Sequence, residues 1–257
     1  MKNISLALLL AMVAAITFQS CSKDEDTEKP NIVAVTLEDE FVAAGDEIGF
    51  DLSVTDNEGL KEYKIDIHDD FDGHSHGKTA NYDKFETVII NQISGLSFND
   101  HVHIDVPANT MAGPYHVNVY VLDKDGNQSD TKTLTVYITN AGMANISVTN
   151  MSETAENDIT PGSSVTLQGT VTAGTANIEE IGVVVAKDDN HSHGKVAGDD
   201  EIFEWDQDFA TPVASWNFAD LGAIAIPANA AGHYKLEVKA KDVNGNIAIK
   251  HYEMHVE

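Results

Sequence analysis

The 257-residue chain has no arginine, and its fifteen cations, all lysines, face 42 Asp and Glu for a formal net charge of −27. So strong an acidic field excludes nucleic acid, whose binders need a cationic face to displace counterions. It also disfavours docking on anionic headgroups through a basic patch. Without a guanidinium there is no bidentate clamp for a phosphate or carboxylate. What such a field attracts is a cation, either a metal ion or a protein. Cysteine is almost as scarce. Cys21 stands alone, so no intramolecular disulfide forms and stability rests on a packed core. Apolar residues make up 42% of the chain, the share of a folded protein and not of an acidic disordered tail.

Long apolar runs are limited to one, Ile4 to Phe18, behind Lys2. It falls short of the ~20 residues a bilayer span requires and suits a signal-peptide core. Phe18-Gln19-Ser20-Cys21 resembles the relaxed lipobox of Bacteroidota lipoproteins, in which the cysteine becomes the acylated first residue after cleavage. Ser22-Lys23-Asp24-Glu25-Asp26 resembles the export signal that places such lipoproteins on the outer face of the outer membrane. The expectation is a signal peptide over 1–20, lipidation of Cys21 with palmitate-type acyl chains and an acidic tether over 21–31. Loss of Lys2 with the signal would take the charge from −27 to −28. Acyl chains would be the only membrane attachment.

Beyond the tether, apolar and polar residues alternate. Ile48, Phe50, Leu52 and Val54 form one such series, Tyr115, Val117, Val119 and Val121 a second, and Val165, Leu167 and Val171 a third. A period of two is that of half-buried strands, and no sustained 3.6-residue period competes with it. The halves repeat each other. Val106-Pro107-Ala108-Asn109 returns as Ile226-Pro227-Ala228-Asn229, and Ala112-Gly113-Pro114-Tyr115 as Ala231-Gly232-His233-Tyr234. Asp123-Lys124-Asp125-Gly126-Asn127 returns as Asp242-Val243-Asn244-Gly245-Asn246, and His74-Ser75-His76-Gly77-Lys78 as His191-Ser192-His193-Gly194-Lys195. Units of this size with these turns predict an all-β chain. Two tandem immunoglobulin-like antiparallel β-sandwiches, related by internal duplication, occupy 32–140 and 145–257. Gly126 and Gly245 are expected to supply the positive φ of a hairpin turn. This layout resembles Bacteroidota surface lipoproteins that carry domain of unknown function 4625. The resemblance implies an Ig-like fold and a cell-surface address, and it lends no activity.

Six of the eleven histidines fall in three His-Xaa-His pairs, His74/His76, His101/His103 and His191/His193. On an extended segment residues i and i+2 share a side, so both imidazoles can face one ion. His68 is expected to project outward from a strand whose Tyr63, Ile65 and Ile67 face the core. The segment from His68 through Asp70 and Asp72-Gly73 to Thr79 partly matches a calcium loop. Imidazole and hydroxyl replace two of its hard oxygen ligands, so calcium is less favoured there than zinc or copper. His101 and His103 are expected outside a strand that buries Val102, Ile104 and Val106. A loop laid across that strand would bring four imidazoles together. The second half has Leu221 and Ala223 in their place, so its site would be weaker. His251 and His255 read as a solvated edge, the Asp-Xaa-Xaa-Gly-Asn strings as self-capped turns, and Trp205 and Trp216 as core. No metalloprotease, serine-hydrolase, cysteine-nucleophile or phosphate-loop motif occurs, so no enzyme is expected.

The expectation is a surface lipoprotein that binds zinc or copper through His68, Asp70, His74, His76, His101, His103, His191 and His193. It would scavenge or buffer the metal, with an outer-membrane transporter or another surface protein as partner. The alternative is an Ig-like adhesion or accessory module that binds a protein or glycan, its histidine loops being structural.

Overall fold

The computed structural model describes residues 26–71, 81–188 and 201–257. Eight strands precede Asn140: β1 (Asn31–Leu37), β2 (Phe41–Ala43), β3 (Glu47–Thr55), β4 (Leu60–Asp69), β5 (Thr87–Gln92), β6 (Ser97–Asp105), β7 (Gly113–Asp123) and β8 (Lys132–Thr139). They form a three-stranded sheet, β1-β3-β6, and a five-stranded sheet, β2-β8-β7-β4-β5. Phe50, Leu52, Val102 and Ile104 of the first sheet and Ile65, Ile67, Val117 and Val119 of the second are all buried. Alternation therefore sets the core between the sheets.

Ten strands follow: β9 (Asn145–Val148), β10 (Asn157–Ile159), β11 (Ser164–Thr166), β12 (Gly169–Thr172), β13 (Ile178–Lys187), β14 (Glu201–Val213), β15 (Ser215–Asn217), β16 (Ala223–Ala225), β17 (Gly232–Asp242) and β18 (Ile247–Val256). The five-stranded sheet returns as β10-β18-β17-β13-β14. The opposing sheet is broken into β15-β12-β9 and a separate β11-β16 pair. Val106 donates to the Asp46 carbonyl and Ile226 to the Ser163 carbonyl, which puts the halves in register. In that register the β3-β6 ladder corresponds to β11 and β12 facing β15 and β16. A 3₁₀ turn at Phe218–Asp220 and the positive φ of Gly169 (120°) interrupt it.

Two local features place this among Ig-like sandwiches. Tyr115, at the start of β7, is fully buried, and its hydroxyl donates to the Met111 carbonyl at 3.0 Å, the geometry of a tyrosine corner. Gly126 and Gly245 have φ of 97° and 77°, as the turns require.

The two five-stranded sheets meet across the halves. Asp70, just past β4, has an Oδ2 that lies 3.4 Å from His116 Nε2, 3.5 Å from Lys235 Nζ and 3.8 Å from His251 Nδ1. His251 is 3% exposed and its Nε2 sits 3.1 Å from Glu237 Oε2. This corrects the expectation of a solvated edge. β18 lies between β10 and β17, and the first half covers its outer face. Tyr137 adds a hydrogen bond to the Glu153 carbonyl. Between the halves a cleft of about 320 Å³ opens against Phe41, Tyr137, Met143, Ile146 and Ile249.

Candidate metal centre

Strand register builds the centre. His101 and His103 lie on the exposed face of β6, while Val102 and Ile104 are buried between them and beyond. On the neighbouring β3, Asp51 pairs with His101, and Gly49 with His103. Asp51 Oδ1 reaches His101 Nδ1 at 2.8 Å, and Glu47 Oε2 lies 3.3 Å from His103 Nδ1. Each imidazole thus has a carboxylate on Nδ1, an arrangement that fixes the ring and presents Nε2 to an ion.

The third donor comes from the end of β1. The Glu38 amide donates to the Gly49 carbonyl at 2.9 Å, which fixes where its side chain starts. Its carboxylate lies in the space left by the missing side chain of Gly49, where a Cβ would sit 1.9 Å from Glu38 Oε2. From there Glu38 Oε1 is 3.2 Å from His101 Nε2. The ligand atoms of Glu38, His101 and His103 all fall within 4.8 Å of one another. The His101 and His103 rings stand edge to face at 4.5 Å. Hydrogen bonding to Asp51 raises the pKa of His101 above its usual value, and the charges of Glu38 and Asp51 add to the effect. Two imidazoles and a carboxylate, about half exposed, provide three ligands and leave a position open to water, a combination that suits zinc or copper.

His68 projects outward from β4 as expected, but its Nδ1 lies beside Asp66 Oδ1 at 3.2 Å and its ring stands against His116. His68 lies on β4 of the five-stranded sheet and Asp70 just past it, whereas His101 and His103 lie on the outer face of the opposing sheet. The core separates them, so these four residues do not form one site. Asp70 faces the second half instead, and its carboxyl is held well below the usual range. Burial alone would raise it, but His251, Lys235 and His116 outweigh that. Cys21, His74, His76, His191 and His193 lie outside the described residues.

A second cluster escaped the sequence reading. Register across β10, β18 and β17 aligns Asp158, His255 and His233 in one row. Asp158, His255 and Glu257 bring ligand atoms within 4.8 Å of one another. The His233 ring stacks on His255 at 4.8 Å, with its Nδ1 against Glu156 Oε1 at 2.5 Å. The available signal was the i, i+2 spacing of His255, on β18, and Glu257, just past its end. In the second half the ladder break removes the counterpart of the first centre, because Leu221 follows the 3₁₀ turn and Ala223 opens the short β16.

Two sandwiches, the first with an outward-facing His-Xaa-His among the described residues, make this a tandem Ig-like β-sandwich protein by architecture. The chain belongs to the family described as Domain of unknown function (DUF4625), whose family model matches twice, at residues 19–139 and 140–257. No curated protein matches it. Among solved structures it is similar to the fibronectin(III)-like modules of Clostridium thermocellum CbhA. That likeness has 13% identity, covers 87% of this chain and 94% of that one, and has a TM-score of 0.26. It is also similar to dimeric latent PorU from Porphyromonas gingivalis, with 11% identity, 89% and 24% coverage and a TM-score of 0.29. A tetra-tandem repeat in the extending region of a large adhesion protein shares 15% identity, with 89% and 48% coverage and a TM-score of 0.28. The chain thus spans less than half the length of the last two.

Proposed function

We propose that the protein is a surface lipoprotein that binds a divalent transition metal, zinc or copper, in a scavenging or buffering role. The observation that carries the reading is the convergence of Glu38, His101 and His103, with Asp51 and Glu47 behind the two rings. Imidazoles supply affinity, carboxylates orient them, and the −27 net charge raises the local cation concentration. The His-Ser-His-Gly-Lys segments at 74–78 and 191–195 would add ligands of the same type. An outer-membrane transporter is the partner class that such a role calls for. No helix among the described residues is long and apolar enough to cross a membrane. The proposed anchor is acylated Cys21, behind the Phe18-Gln19-Ser20 segment. Cys21→Ala is expected to release the protein from the membrane fraction.

The test is calorimetric titration of the chain from Ser22 onward with Zn²⁺ and Cu²⁺. The reading predicts that His101→Ala with His103→Ala removes one binding event. Titration curves unchanged by that pair would reject the site.

One observation favours the alternative, a non-enzymatic Ig-like adhesion or accessory module. β5 is an edge strand, and its Val88 and Ile90 are more than half exposed. Apolar side chains on an unpaired edge invite a partner strand.

A further inference from the structure

At the opposite end of the first sandwich from its histidines' acids, the chain enters through Asp26. This residue is 8% exposed. Its Oδ1 accepts from the Glu28 amide at 2.9 Å and from Asn57 Nδ2 at 3.1 Å, while its backbone carbonyl accepts from Asn127 Nδ2. Its Oδ2 is buried and meets no hydrogen-bond partner, and the same holds for Asp56 Oδ1. Asp123, 1% exposed, is the third member, and oxygens of Asp26, Asp56 and Asp123 lie within 4.8 Å of one another. Among the described residues no lysine pairs with any of the three. Two buried carboxylate oxygens without a hydrogen-bond partner beside a third carboxylate is an arrangement that a cation would satisfy.

We propose that Asp26, Asp56 and Asp123 form a calcium site that ties the entering chain to the β3–β4 and β7–β8 turns. The donors are all carboxylate oxygens, the hard set that calcium prefers and that zinc and copper do not select. Magnesium fits less well because it holds its waters and demands a stricter octahedron. A second trio, Asp26, Glu58 and Asp125, shares Asp26 and extends the acidic surface toward solvent.

The duplication supplies an internal comparison. Lys124 donates to the Gly59 carbonyl and Val243 to the Asn177 carbonyl, and the Asp123 and Asp242 turns close identically on Asn127 and Asn246. Counting back three residues from Gly59 and Asn177 aligns Asp56 with Gly174. A Cβ on Gly174 would lie 2.4 Å from the Met143 carbonyl and 2.5 Å from that of Gly142. In the second half the inter-domain linker therefore fills the place where the first half gathers acids. Asp242 keeps the turn, with its Oδ1 accepting from Asn244 and Asn246, and among the described residues it joins no cluster of carboxylates. Among the described residues the calcium site therefore belongs to the first half.

The test uses the chain from Ser22 onward, freed of metal by chelation and titrated with Ca²⁺. One ion is expected to bind in the range of extracellular modules, about 10⁻⁴ to 10⁻³ M. At roughly ten times that Kd the melting transition should rise by about 3–5 °C. Asp26→Asn with Asp56→Asn should abolish both effects while melting no lower than wild type in chelator, because the amides remove repulsion. Asp56→Gly, which copies Gly174, is the second variant and should likewise lose Ca²⁺ binding and the Ca²⁺-dependent shift, while melting lower in chelator because the Glu58 and Gly59 amides lose the Asp56 Oδ2 acceptor. Absence of a shift in wild type at ~10 mM Ca²⁺, or an equal shift in both variants, would overturn the proposal. Zn²⁺ titration should be untouched by these changes, and Ca²⁺ binding by His101→Ala with His103→Ala, so the two sites stand or fall separately.

Discussion

His101 meets a carboxylate at each ring nitrogen, Asp51 at 2.8 Å and Glu38 at 3.2 Å, and only one of these can be replaced by a metal. Asp51 orients the ring, while Glu38 would turn from partner of the ring to co-ligand. Gly49 controls that choice, since any side chain there displaces the Glu38 carboxylate. Gly49→Ala is therefore expected to weaken Zn²⁺ binding about 10-fold or more. Strand stability should hold, because alanine suits an extended backbone better than glycine, and calorimetry with a urea melt reads both effects. Because the pKa of His101 is raised, protons should compete with the metal from a higher pH than at an unperturbed histidine. Asp51→Asn should move that competition downward, as titrations at several pH values would reveal. The imidazoles were legible in the sequence because their i, i+2 spacing is local. Asp51 was not, being fifty residues away and joined to His101 only by strand pairing. Glu38 depends further on a glycine whose value is the space it leaves.

At the scale of elements, one strand decides which half carries the centre. β6 runs unbroken through His101 and His103, whereas its counterpart is split by the turn at Phe218–Asp220. The alternation of Ile48 to Val54 and of Tyr115 to Val121 was enough to predict both strands and their buried faces. The split was not legible, because a three-residue 3₁₀ turn capped by Asn217 leaves no periodic trace. Tyr115 offers a direct check on the sandwich. Tyr115→Phe keeps the ring and removes the hydroxyl that donates to Met111. It should cost about 1 kcal/mol, read from the urea midpoint. No loss would mean that the corner does not brace the turn into β7.

At the scale of the molecule, the acidic field is offset at the place where the halves meet. Burial tends to lower the pKa of His251, but the carboxylates of Asp70 and Glu237 outweigh it and hold the value at about 9. A raised histidine contributes stability that is complete below its unfolded value of ~6.5, and this is lost as pH rises through about 9. Asp70, lowered, contributes stability that is present above the ordinary carboxylate range and lost as pH falls from that range through its own lowered value. Interface stability should thus plateau between about pH 4 and 6.5 and decline toward 9. Asp70→Asn should cost about 3 kcal/mol in the plateau and bring the alkaline decline to lower pH, as denaturation across pH would record. Neither residue announced this in sequence, for the pair is joined only by the packing of one sheet on another.

The most direct test of the central claim is anomalous diffraction at the zinc edge from crystals of the Ser22-onward chain grown with Zn²⁺. A peak is expected about 2 Å from a ring nitrogen of His101 and of His103 and from a Glu38 oxygen. A map with no peak between these three side chains, with zinc bound elsewhere or not at all, would contradict it.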